Sequence, residues 1–113
     1  MKISNINIAV ELDDQNIPEK IMWDASEKPE QVPTDTKAIS VALWDDKTMN
    51  TMRMDLWTKD MSVEEMKRFF INTLGGYAQM ILNSTGDEYM ASETNNLVDK
   101  FVEYLKNEEA KES

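Results

Sequence analysis

Apolar residues alternate with polar ones in the first half of the chain and recur at helical spacing in the second. Ile6, Ile8, Val10 and Leu12 are separated by Asn7, Ala9 and Glu11, the period of a strand with one apolar face. Asp13-Asp14-Gln15-Asn16 follows as a turn, and Pro18 keeps the connection irregular. A second strand is expected over Lys20–Ala25, with Ile21, Trp23 and Ala25 on one face and Met22 on the other. Ser26–Thr36 carries Pro29 and Pro33 among polar residues and reads as a loop crossing an edge of the sheet. Ala38–Trp44 and Thr51–Trp57 are the third and fourth strands, with Asp45–Asn50 as the reversal between them.

Register follows from matching faces, because a slip of one residue inverts every side chain. Pairing Leu43 with Met52, Val41 with Met54 and Ile39 with Leu56 puts all six on one side, the expected core face. The same register sets Trp44 opposite Thr51 and Trp57 opposite Ala38 on the far side.

The period then changes. Ser62-Val63-Glu64-Glu65 has the capping-box pattern, and the early glutamates suit the positive end of a helix. Val63, Met66, Phe70, Leu74, Tyr77 and Ile81 form its apolar stripe. Gly75-Gly76 interrupts that stripe and points to close approach of a second element, in preference to a hinge. Gly86 suits the left-handed position after the helix, and Asp87 suits the cap of the next. The second helix has the stripe Met90, Thr94, Leu97, Phe101 and Leu105, widened by Val98 and Val102, with Ser92–Asn96 as an expected break. These elements predict an α+β fold of two layers: a four-stranded antiparallel sheet with two C-terminal helices packed on one face. One domain is expected over residues 1–106, and 107–113 reads as a frayed acidic tail.

Composition narrows the chemistry. The formal charge of −10 argues against nucleic acid and anionic membrane as partners. The chain has no cysteine and no histidine, which removes disulfides, thiolate and imidazole metal ligands, and histidine general bases. Paired acids at Asp13-Asp14, Asp45-Asp46, Glu64-Glu65 and Asp87-Glu88 fall in turns and at a helix start, so turn and cap roles account for them. Asp45–Asn50 does not fit the EF-hand pattern, and no glycine-rich phosphate loop is present. Catalytic residues, cofactors and metals are therefore all expected to be absent. Neither a signal-like start nor an apolar run long enough for a bilayer is seen, so a cytoplasmic protein without membrane insertion is expected.

Nine methionines could furnish an adaptable surface, but Met52, Met54 and Met66 fall on predicted core faces. The outer sheet face is the candidate site: Met22, Trp44, Arg53 and Trp57 among small or polar residues such as Ser40, Ala42 and Thr51. Trp and Arg are frequent interface anchors. The competing reading has the 26–36 loop covering one tryptophan and Arg53 stacking on the other.

These residues also carry a likeness. Ser40-Val41-Ala42-Leu43-Trp44-Asp45, Arg53-Met54-Asp55-Leu56-Trp57-Thr58-Lys59-Asp60-Met61 and Glu65-Met66-Lys67-Arg68-Phe69-Phe70 resemble the gliding motility-associated GldC family of Bacteroidota. Val10-Glu11-Leu12-Asp13, Ile17-Pro18-Glu19-Lys20-Ile21 and Thr85-Gly86-Asp87-Glu88 extend the resemblance from the first strand into the second helix. It implies a small, non-enzymatic accessory protein of the gliding machinery and its associated secretion apparatus. The expected mode is docking to a protein of that apparatus, with a homodimer stacked through the outer face as a rival. A further alternative is a small-molecule carrier or carboxylate enzyme with a pocket between sheet and helices. Its expected interior offers few polar groups beyond Thr73, Tyr77 and Thr94.

Overall fold

A computed structural model describes residues 1–31 and 34–112. The chain divides into two compact units, Met1–Ser62 and Val63–Ser113. The first holds β1 (Ile6–Leu12), β2 (Pro18–Ala25), β3 (Asp35–Thr36), β4 (Ala38–Asp45) and β5 (Asn50–Trp57). The second holds α1 (Val63–Thr85) and α2 (Glu88–Glu112).

The α+β class and the antiparallel pairing stand, but the single four-stranded sheet does not. There are two sheets, β1-β2-β3 and β4-β5. The cause lies at residues 34–37. Part of the expected loop returns beside β2: Trp23 N–H donates to Thr34 O at 2.8 Å, and Ile21 and Met22 pair with Thr36 and Asp35. Those two residues occupy the edge of β2 that β4 would have needed. Val32 and Pro33 of that loop lie outside the described residues.

Within each hairpin the alternation was sufficient. Ile8 pairs with Trp23 and Val10 with Ile21, so the apolar faces of β1 and β2 coincide. In the second hairpin Leu43 pairs with Met52, Val41 with Met54, Ile39 with Leu56, Trp44 with Thr51 and Trp57 with Ala38. Both turns use the left-handed region, at Asn16 (φ 62) and Met49 (φ 53). Asp13 fastens the first turn by accepting from the amides of Gln15 and Ile17.

The segment after β5 ties the unit together. Thr58 N–H donates to Lys37 O at 2.8 Å, and Lys59 N–H donates to Pro18 O at 3.0 Å. Thr58 is buried, and its hydroxyl donates to Asp60 Oδ1 at 2.6 Å. The Lys59 ammonium reaches Asp13 Oδ2 at 3.1 Å and Glu19 Oε1 at 2.9 Å. The Thr58-Lys59-Asp60 block thus holds the end of β5 to the turn and the start of β2.

Burial departs from expectation. Ile21 is fully buried and Ala38 nearly so, but Leu43, Met52 and Met54 are 59%, 59% and 46% exposed. They share the expected face without forming core there, because alternation decides which side chains are neighbours and not what lies against them. Ile39 and Val41 line an open groove of ≈ 330 Å³ with Ile6, Ile8 and Trp23, so the apolar face is partly covered only near the base of the hairpin.

In the helical unit, α1 and α2 form an antiparallel pair. Ring contact between Phe70 and Phe101 and ion pairs from Lys67 to Glu108 and from Arg68 to Glu109 fix its sense. Gly86 sits at φ 73 with its N–H on Leu82 O, and Met90 N–H donates to Asp87 Oδ1 at 2.9 Å, so stop and cap fall where expected. Ile71, Ala78 and Ala91 are buried, with Leu74, Ile81, Val98 and Leu105 half-buried. They recur every three or four residues on α1 and every seven on α2, the spacing of helices packed side by side. The seam is rotated from the expected stripes, leaving Val63, Phe70, Tyr77, Met90 and Leu97 exposed. Met66, expected in the core, is half-buried. Helix α2 runs unbroken through Ser92–Asn96, and α1 through Gly75-Gly76. Among the described residues a β-carbon at either glycine would meet nothing within 4 Å, so close approach of those residues does not explain them.

Candidate docking surface

The outer face of β4–β5 is built by period two. Ala38, Ser40, Ala42 and Trp44 point to one side of β4, and their partners Trp57, Asp55, Arg53 and Thr51 lie beside them on β5. Trp44 is 61% and Trp57 50% exposed. They stand at opposite ends of the ribbon, six residues or about 20 Å apart along the strands. Arg53 lies between them, paired with Asp55 at 3.2 Å. Asp55 also accepts from the Ser40 hydroxyl at 2.6 Å. That hydroxyl first, and the guanidinium second, holds the Asp55 carboxyl below the usual carboxylate range.

Of the four residues singled out from the sequence, the structure brings Trp44, Arg53 and Trp57 to one face. Met22 is not among them. It is half-buried on β2, in the other sheet, opposite Ala9 and Asp35. Lys28, in the expected 26–36 loop, sets its ammonium over the ring of Trp23 at 5.0 Å. Arg53 engages a carboxylate.

The acidic pairs fill structural posts. Asp45 accepts from Lys47 N–H and the Thr48 hydroxyl, and the latter chiefly lowers its pKa. Asp13 is lowered first by Ile17 N–H and then by Lys59. Among the described residues no group of three or more acidic side chains is placed to hold a metal ion.

Two apolar features were not foreseen. One is the exposed inner face at the tip of β4–β5, already described. The other is a cleft of ≈ 350 Å³ on the helical pair, lined by Met66, Phe70, Ile71, Phe101, Tyr104, Leu105 and Lys67. The aromatics at 70, 101 and 104 were its only sequence signal; Phe70 and Phe101 belong to the expected core stripes, and Tyr104 belongs to neither.

A family model described as gliding motility-associated protein GldC-like matches residues 18–107, from β2 through most of α2. No match was found among curated proteins or among solved structures. Among the described residues no helix is long and apolar enough to cross a membrane.

Proposed function

The chain belongs to the GldC-like family of gliding motility-associated proteins, and from that premise we propose that it serves gliding as a non-catalytic adaptor in the cytoplasm. It docks a protein of the gliding or secretion apparatus through the outer face of β4–β5. Trp44 and Trp57 are the anchors, and Arg53 sets the orientation of the contact.

The observation that supports this reading is the exposure of two indoles on one ribbon face. An indole that leaves water completely on docking contributes about 3 kcal/mol. Two such anchors around an arginine match the usual composition of interface hot spots. Turn and cap duties of the acidic pairs leave little catalytic machinery among the described residues. The cleft on the helices offers Lys67 and Tyr104 as polar groups, and these already engage each other and Glu108. A ligand site needs several converging polar groups, so the carrier reading has less support.

Complementation of a gliding-deficient deletion strain tests the proposal. The wild-type chain restores spreading, and Trp44→Ala/Trp57→Ala, expressed to the same level, does not. Full spreading with the double variant would refute docking through these anchors.

A further inference from the structure

The second edge of β5 is open. Among the described residues β5 pairs with β4 alone, in a sheet of two strands. The hydrogen bonds beyond its end show which groups face outward. Thr58 N–H points inward to Lys37 O, whereas Lys59 N–H points outward to Pro18 O. Alternation then directs the amides and carbonyls of Asp55 and Arg53 away from β4. Pro18 closes this edge at Lys59, and among the described residues no strand pairs with it before that point. An unpaired edge of this kind is a template for another strand.

We propose that β5 pairs antiparallel with β5 of a second copy about a two-fold axis at Met54, giving a continuous four-stranded sheet β4-β5-β5-β4. This does not rest on the docking reading, since it uses the edge of the ribbon and not its face.

The strand's own sequence selects this occupant and register. With Met54 on the axis, Arg53 lies opposite the second copy's Asp55, and Asp55 opposite its Arg53, so two ion pairs form by symmetry. Met52 meets Leu56 of the second copy on the apolar face, and Met54 meets Met54. One pairing therefore matches charge with charge and apolar with apolar at every central position, as an isologous interface requires. The edge of β4 is less suited, since it carries no acid–base pair and begins at the buried Ala38.

The pairing also joins what the single chain keeps apart. Carried one step further, the register places Trp57 of one copy beside Thr51 of the other, whose cross-strand neighbour is Trp44. The two indoles then stand two strand spacings apart, about 10 Å instead of about 20 Å.

Charge reversal on the purified full chain, followed by sedimentation equilibrium, is the test. The wild type dimerises with concentration. Arg53→Asp and Asp55→Arg each set like charges across the axis and weaken association about tenfold or more, and the double exchange restores it. Because the chain lacks cysteine, Met54→Cys supplies a single thiol on the axis. Opposed α-carbons in a non-hydrogen-bonded antiparallel pair lie about 4.5 Å apart, within disulfide range. Mild oxidation therefore cross-links Met54→Cys and spares Val41→Cys, which marks the rival β4 edge. A monomer at all concentrations up to several hundred micromolar, no rescue by the double exchange, or preferential cross-linking at Val41→Cys would each overturn the proposal. The readout uses purified protein and neither indole, so it is separate from the outcome of the gliding assay.

Discussion

β2 and β5 are both strands of eight residues, yet they meet different fates. β2 is paired along both edges, by β1 and β3, and holds the fully buried Ile21 with half-buried neighbours. β5 is paired along one edge and is exposed at every position but Leu56. Both carry two-faced patterns of similar hydrophobicity. The difference arises from what the rest of the unit brings to each strand. For β2 that is a third strand, the Lys28 ammonium over Trp23, and the Lys59 brace between Asp13 and Glu19. For β5 it is one partner strand and a tie to β2 just beyond its end. An isolated two-stranded ribbon is marginal in water, so a ribbon left this open is better suited to binding than to anchoring the fold.

The largest effect should separate the two strands directly. Ile21→Ala removes a fully buried side chain and costs about 2–5 kcal/mol, whereas Met54→Ala, at an exposed site, costs under about 1 kcal/mol. Urea denaturation at dilute protein concentration reads both, and equal losses would erase the contrast.

A smaller effect compares the turns. Asn16 and Met49 both sit at positive φ, but asparagine tolerates that region and methionine does not. Met49→Gly should raise stability by about 1 kcal/mol and Asn16→Gly should change it by only a few tenths. A loss with Met49→Gly would show that its side chain has a role that outweighs the backbone.

The mildest effect is electrostatic. Asp13 and Asp55 both titrate below their ordinary value when folded, Asp13 through Ile17 N–H and Lys59, Asp55 through Ser40 and Arg53. The unfolded chain therefore binds protons that the folded chain does not. The stability these groups contribute is complete above the ordinary carboxylate pKa and is lost as pH falls through the range below it. Asp13→Asn and Asp55→Asn should each flatten the acid limb of a melting-temperature profile. A limb as steep as wild type in both variants would contradict the assigned contacts.

Much of this was legible in the sequence where the signal is local. The hairpin register, the Asp13–Asn16 turn, the Asp87 cap and the left-handed Gly86 depend on neighbours in the chain or across one turn, and residue type reports them. The split of the sheet was not legible, because it depends on Asp35 and Thr36, two polar residues with no strand signal, taking the edge of β2. The helical seam was misplaced for a related reason. The expected stripes run through the larger Phe70, Tyr77 and Met90, whereas the packed face is set one residue later by Ile71 and the small Ala78 and Ala91, which let the helices approach. Of the candidate site, the positions of Trp44, Arg53 and Trp57 followed from parity alone, whereas placing Met22 with them assumed the single sheet that does not form.

The central claim is that the outer face of β4–β5 is available for binding and is not part of the folding core. Its most direct test is the unfolding free energy of Trp44→Ala/Trp57→Ala beside wild type, by urea titration at dilute protein concentration. A difference within about 0.5 kcal/mol is the result this account predicts. A loss of about 3 kcal/mol or more, the signature of large aromatics removed from an interior, would contradict it.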